Sequence, residues 1–127
     1  MSIKLDGVTY SGLHVASLKR NFSVLDGENA GRVKTGAMVR DIIGTYYNYS
    51  IVIDSEQSDR ATYDQFYQAI TSPADSHTLV VPYAQTVLTF RAYVTQGADE
   101  LISSYDGVNT WRNLTFNFIA MSPQRRP

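Results

Sequence analysis

Apolar and polar residues alternate with period two through much of this sequence, and no other feature narrows its fold as far. Around His14–Leu25, the residues Ala16, Leu18, Phe22 and Val24 share one parity, and Ser17, Lys19, Asn21 and Ser23 share the other. Arg20 interrupts the apolar set, while Val15 and Leu25 interrupt the polar one. Tyr47, Tyr49, Ile51 and Ile53 repeat the pattern, as do Leu88, Phe90, Ala92 and Val94, and then Leu114, Phe116 and Phe118. Successive strand side chains point to opposite faces, so each series reads as a half-buried strand. Thr78–Tyr83 is apolar on both parities, as expected of a strand covered on both faces. Pro82 has no N–H for a ladder and belongs at an edge or near the strand end.

One segment breaks the period. Tyr63, Phe66, Tyr67 and Ile70 fall at i, i+3, i+4 and i+7, the stripe of an amphipathic helix that packs on a sheet. Thr62 with Gln65 makes a capping-box pattern, and Ser58 is a competing N-cap one turn earlier. Pro73 disfavours helical backbone at the residue before it. The expectation is a helix of about three turns between Asp59 and Ser72. Asp6-Gly7 and Asp106-Gly107 are pairs that favour tight turns with positive φ. The stretch from Asp26 to Arg40 carries Gly27, Gly31 and Gly36 and no clean period, so it reads as a long functional or mobile loop. The 127 residues therefore read as one domain, mainly β with one α-helix, a β-sandwich or partly open barrel.

Catalytic chemistry has little to stand on. There is no cysteine, which removes thiol catalysis, thiolate metal sites and disulfides. His14 and His77 are the only histidines, far apart, with no carboxylates at metal-ligand spacing. Gly31 and Gly36 have the spacing of a phosphate-binding loop, but Ala37 and Met38 stand where lysine and a hydroxyl residue are needed. No serine lies in a G-x-S-x-G elbow. The expectation is no enzyme activity, no metal and no cofactor.

Partners are read from charge and aromatics. The net charge is −1, but residues 1–40 carry six bases against three acids and the remainder five bases against nine acids. A basic third and an acidic remainder suit head-to-tail pairing of copies, and ordinary surface variation gives the same count. No stretch approaches the ~18 continuous apolar residues of a membrane-spanning helix. The first residues lack the basic-then-apolar layout of an export signal, so the expectation is a chain made and used without export or membrane anchor. Tyr46, Tyr47 and Tyr49 crowd one strand and suit core packing, a subunit interface or a stacking platform. Met121–Pro127 reads as a frayed terminus or as a segment docked on a neighbouring molecule.

In order, these elements are a short hairpin, a strand running into a long glycine-spaced loop, a strand, one helix and a final set of strands. That order resembles the fold of tail-tube and distal tail proteins of long-tailed bacteriophages. Leu5–Tyr10, Leu25–Arg32, Asp41–Tyr49 and Asn117–Met121 look like stretches of small prophage tail proteins. The resemblance implies a structural virion protein, a ring subunit forming a homohexamer with itself and joined to other tail proteins, in the tail tube or the baseplate adaptor. It implies location in the virion tail after assembly in the bacterial host cytoplasm, and no sequence-specific nucleic acid binding even where DNA passes through the ring. The subunit interface is then expected at Arg32, Lys34, Arg40, Tyr46 and Tyr47. The alternative is a small β-sandwich module that binds a ligand or carbohydrate, a monomer with a tyrosine-lined pocket.

Overall fold

The computed structural model describes residues 3–54 and 58–127. In chain order the elements are β1 (Ile3–Leu5), β2 (Val8–Tyr10), β3 (His14–Asp26), β4 (Gly31–Arg32), β5 (Met38–Val39), β6 (Ile42–Asp54), α1 (Arg60–Ile70), β7 (His77–Tyr83), β8 (Thr86–Tyr93), β9 (Gly97–Tyr105) and β10 (Val108–Ala120). The fold is mainly β with one helix.

All pairings are antiparallel, and β10 organises them. Its last residues, Ile119 and Ala120, pair with Tyr93 and Ala92 of β8. Its middle, Leu114–Phe118, pairs with Ile53–Tyr49 of β6. Its first half pairs with β9 from Val108↔Tyr105 onward. The eight strands run in the order β2-β1-β7-β8-β10-β6-β3, with β9 joined to β10 off that path, and β4 and β5 form a separate ribbon. Since β2 and β3 end the path, the sheet curls as an open sandwich and does not close into a barrel.

Turn chemistry explains three of the connections. Asp6 and Asp106 lie at φ 51°, followed by Gly7 at 85° and Gly107 at 77°, the positive angles that two-residue hairpins need. Ala84 takes the same φ of 51° between β7 and β8, where the turn overrides a residue that resists that region.

The core is built from the alternating faces. Tyr49, Ile51 and Ile53 of β6 meet Leu114, Phe116 and Phe118 of β10, with Leu79 and Val81 of β7 and Ile3 and Leu5 of β1. Burying each such side chain contributes roughly 1.5–3 kcal/mol. From α1, Phe66 enters this core between the rings of Tyr10 (centroids 5.1 Å apart) and Phe116 (5.8 Å). Tyr63 and Ile70 are buried beside it, whereas Tyr67 is 36% exposed. Three of the four stripe residues thus form the helix–sheet core, and Tyr67 lies at its margin.

Several expectations need correction. The helix is capped by Asp59, whose carboxylate accepts from the Thr62 N–H, not by Ser58 or Thr62. Ser58 is engaged elsewhere, accepting from the His14 N–H and donating to the Asp54 carbonyl. β7 is buried at His77, Leu79 and Val81 but only half-buried at Thr78 and Val80, so one face is fully covered. The segment 26–40 is not structureless: β4 and β5 make a ribbon at the tip of the β3–β6 hairpin. The β3 series holds only at Leu18. A register shift between Val15 and Ser17 leaves Ala16 exposed and packs Val15 on the core instead, and the series fails again in the outer half. Leu18 packs on the core, but Phe22 is 74% exposed and Val24 is exposed with it, because no second layer extends that far.

Candidate functional site

Strands β3 and β6 pair from His14↔Asp54 to Asp26↔Ile42, thirteen residues each. The inner half belongs to the core, and the outer half projects as an arm. Phe22, Val24, Leu25, Ile42 and Ile43 on the arm, and Val33, Met38 and Val39 toward its tip, are all exposed. Among the described residues β3 has no strand partner other than β6, so its outer edge is open. A long open edge strand with exposed apolar residues is a template for pairing with another chain.

The five expected interface residues separate here. Arg32 and Lys34 are exposed near the tip, where the Arg32 guanidinium donates to the Gly36 carbonyl at 2.9 Å. Arg40 is held at the arm's neck by Asp26, 2.7 Å away, so its charge is already paired within the chain. Tyr46 and Tyr47 are half-buried neighbours on opposite faces of β6. Only Tyr47 joins a side-chain constellation recorded in the structure.

That constellation arises where β10 leaves β6. At Ile119 the strand crosses to β8, which leaves the edge of β6 before Asn48 without a strand partner on that side. The C-terminal segment fills the gap. Thr45 donates to the Arg125 carbonyl at 2.9 Å and accepts from the Gln124 N–H at 3.0 Å. The Gln124 side chain then acts as a piece of strand: its Oε1 accepts from the Tyr47 N–H, and its Nε2 donates to the Tyr47 carbonyl, both at 2.9 Å. A Cβ on Gly44 would lie 2.5 Å from the Arg125 carbonyl and from Pro123, so glycine is required for this close approach. The tail therefore docks on its own β6, and it is neither frayed nor reserved for a neighbour.

Docking the tail builds a groove of about 450 Å³ lined by Arg20, Phe22, Val24, Tyr47, Tyr83 and Arg125, among others. Tyr83 donates to the Tyr47 phenol oxygen at 3.2 Å, with the rings edge to face 5.2 Å apart. The Arg20 guanidinium sits 5.0 Å from the Tyr83 ring centroid. Hydrogen bonds from Tyr83 and then from Arg125 hold the Tyr47 phenol below its ordinary pKa, while donating to Tyr47 pushes Tyr83 up. Among the described residues neither Arg20 nor Arg125 forms an ion pair. Two arginines, two phenols and two apolar side chains can take up an anionic group carried on an apolar stem. Sequence reasoning missed Arg20, Tyr83 and Arg125. The available signals were the break that Arg20 makes in the alternation and a glycine inside a strand at Gly44.

The opposite end of the sheet is acidic. The β9–β10 hairpin runs past the end of β6 and exposes Leu101, Tyr105 and Val108. Its base is fixed to the helix by Tyr63, whose buried hydroxyl donates to Asp99 at 2.8 Å; burial and that carboxylate push the phenol's pKa strongly upward. Asp59, Asp64, Asp99, Glu100 and Asp106 belong to this end, with Arg112 paired to Glu100. Elsewhere, buried His77 contacts the Asp6 carboxylate through Nδ1 at 2.7 Å. Burial raises the Asp6 pKa, but the hydrogen bonds from His77 and from the Thr78 N–H outweigh it, so the carboxyl sits below its ordinary range. His14 lies on β3, and among the described residues no group of three or more His, Cys, Asp or Glu side chains is placed to hold a metal ion.

In comparisons with known proteins, no family model matches this chain and no curated protein matches it.

Proposed function

We propose that this protein is a structural, self-assembling ring subunit of a long-tailed bacteriophage tail, in the tube or in the adaptor at its distal end. The observation that carries this reading is the β3–β6 arm: an open-edged ribbon beyond the core with a run of exposed apolar side chains, only partly covered by the docked C-terminal segment. Contiguous exposed apolar surface marks a protein interface or an aggregation liability, and an arm held in register from Ser17 to Leu25 suits a defined interface. In this reading the partners are further copies of the chain and other tail proteins, the ring is a hexamer, and no catalytic step or cofactor is involved. Assembly takes place in the bacterial cytoplasm and the product resides in the virion tail.

Size-exclusion chromatography with light scattering, followed by negative-stain electron microscopy, tests the reading. A ring-sized particle of about six subunits is the expected result. A monomer at every concentration would remove the reading and favour a ligand-binding module, for which the groove at Tyr47 and Tyr83 would be the first place to look.

A further inference from the structure

We propose that the tip of the β9–β10 hairpin of one copy, Tyr105-Asp106, docks into the Arg20/Arg125 groove of the next copy. This rests on the ring-subunit reading and names the contact that orients successive subunits.

Three observations meet in it. The first is register. Leu114 pairs with Ile53, and from that point the hairpin tip lies eight residues along β10 in one direction. The groove residue Thr45 lies eight residues along β6 in the other. At ~3.3 Å per residue the path along the two strands is on the order of 50 Å. Register shifts at Thr110/Trp111 and Arg112/Thr115 and the positive φ of Asn113 bend β10. Tip and groove still lie on opposite sides of the Leu114–Ile53 pairing, which places the tip away from the groove of its own chain. Any such contact joins two molecules.

The second is chemistry. Tyr105 is 81% exposed, and among the described residues no hydrogen bond or ion pair of the Asp106 side chain is recorded. The groove offers the complement: the guanidinium groups of Arg20 and Arg125 for the carboxylate, and Phe22 and Val24 for the ring. Among the described residues no acid lines the groove, so none competes for these guanidinium groups. A carboxylate beside an exposed aromatic ring matches this lining better than a bare anion does.

The third is topology. The donor and acceptor patches are different surfaces at opposite ends of one sheet, so the contact is heterologous, head to tail. Repeated with a closing rotation, such a contact makes a ring; without closure it makes a filament. The tip alone is too small for a stable interface of about 800 Å² per partner. It sets direction and register, and the apolar arm supplies area.

Sedimentation velocity on the full chain tests the contact with two variants: a groove variant, Arg20→Glu with Arg125→Glu, and a tip variant, Tyr105→Ala with Asp106→Asn. Asparagine keeps the positive φ at position 106 accessible. Each variant should melt as the wild type does yet require about tenfold higher concentration or more to assemble. Mixed together, they should form a 1:1 pair that neither forms alone, because one intact tip still meets one intact groove. Raising the salt should weaken this pair. Should the groove variant lose its fold, Tyr105→Ser tests the same contact from an exposed position outside the core. If both variants assemble like a ring-forming wild type, the contact is wrong and the ring reading stands. A wild type that stays monomeric overturns both. A groove variant that loses binding to a DNA oligonucleotide while assembling normally would assign the groove to nucleic acid and overturn the contact.

Discussion

Phe66 shows how much one side chain can carry in this fold. It is fully buried and touches rings from β2 and β10, so it ties the helix to two separate strands. Phe66→Ala should destabilise the protein by roughly 3–5 kcal/mol, the range for truncating a buried phenylalanine. Urea titration measures this directly, and a loss below ~1 kcal/mol would show that the helix is not held by its core face. Asp6 carries a smaller and pH-dependent share. Its folded pKa lies below the ordinary 3.8, so the stabilisation is present above that value and is lost as pH falls through the folded pKa. Because the Asp6 side chain is 47% exposed, the effect is modest. Asp6→Asn keeps a residue that tolerates the turn, and should flatten the decline in urea midpoint between about pH 5 and pH 3. An unchanged decline would place the acid sensitivity at other carboxylates.

Among the elements, the C-terminal segment does most with fewest residues. It covers part of a β6 edge that the departure of β10 would leave open, and open edges invite pairing with other chains. Pro123 and Pro127 cannot donate to a further strand, so the covering segment does not itself become a template. Gly44→Ala should push this segment off, because the added methyl meets both backbone and a proline ring at 2.5 Å. Limited proteolysis should then cut near Gln124–Arg125 much faster than in the wild type, with the core retained. The groove would be lost along with the segment, since Arg125 is one of its walls.

At the scale of the whole molecule, two ribbons project from opposite ends of one open sandwich, the apolar β3–β6 arm and the acidic β9–β10 hairpin. Neither contributes its outer residues to the core, so their side chains can change with little effect on folding. Phe22→Ser combined with Ile43→Ser should shift monomer stability by no more than about 0.5 kcal/mol per site, as for other exposed positions. The same pair should reduce assembly sharply in light scattering. A large loss of stability without loss of assembly would mean that the arm packs on its own core and does not join subunits.

The alternating series at Tyr47–Ile53, Leu88–Val94 and Leu114–Phe118, the helical stripe and the two Asp-Gly turns were legible in the sequence, because side-chain direction and turn backbone are local properties. Local rules could not say what covers each face. The same alternation continues through Phe22 and Val24, yet those residues are exposed, since burial depends on how far the opposing layer reaches. The charge imbalance was also visible, but not that Arg40 is neutralised by Asp26 while Arg20 and Arg125 are brought together from positions more than a hundred residues apart. Asp59 took the cap from two plausible rivals once Ser58 was engaged by His14 and Asp54 across the turn. Sequence alone thus determined the strands, the helix and the tight turns. Tertiary structure decided which apolar faces stay open and which distant side chains share a groove, because both depend on where β10 leaves one neighbour for another.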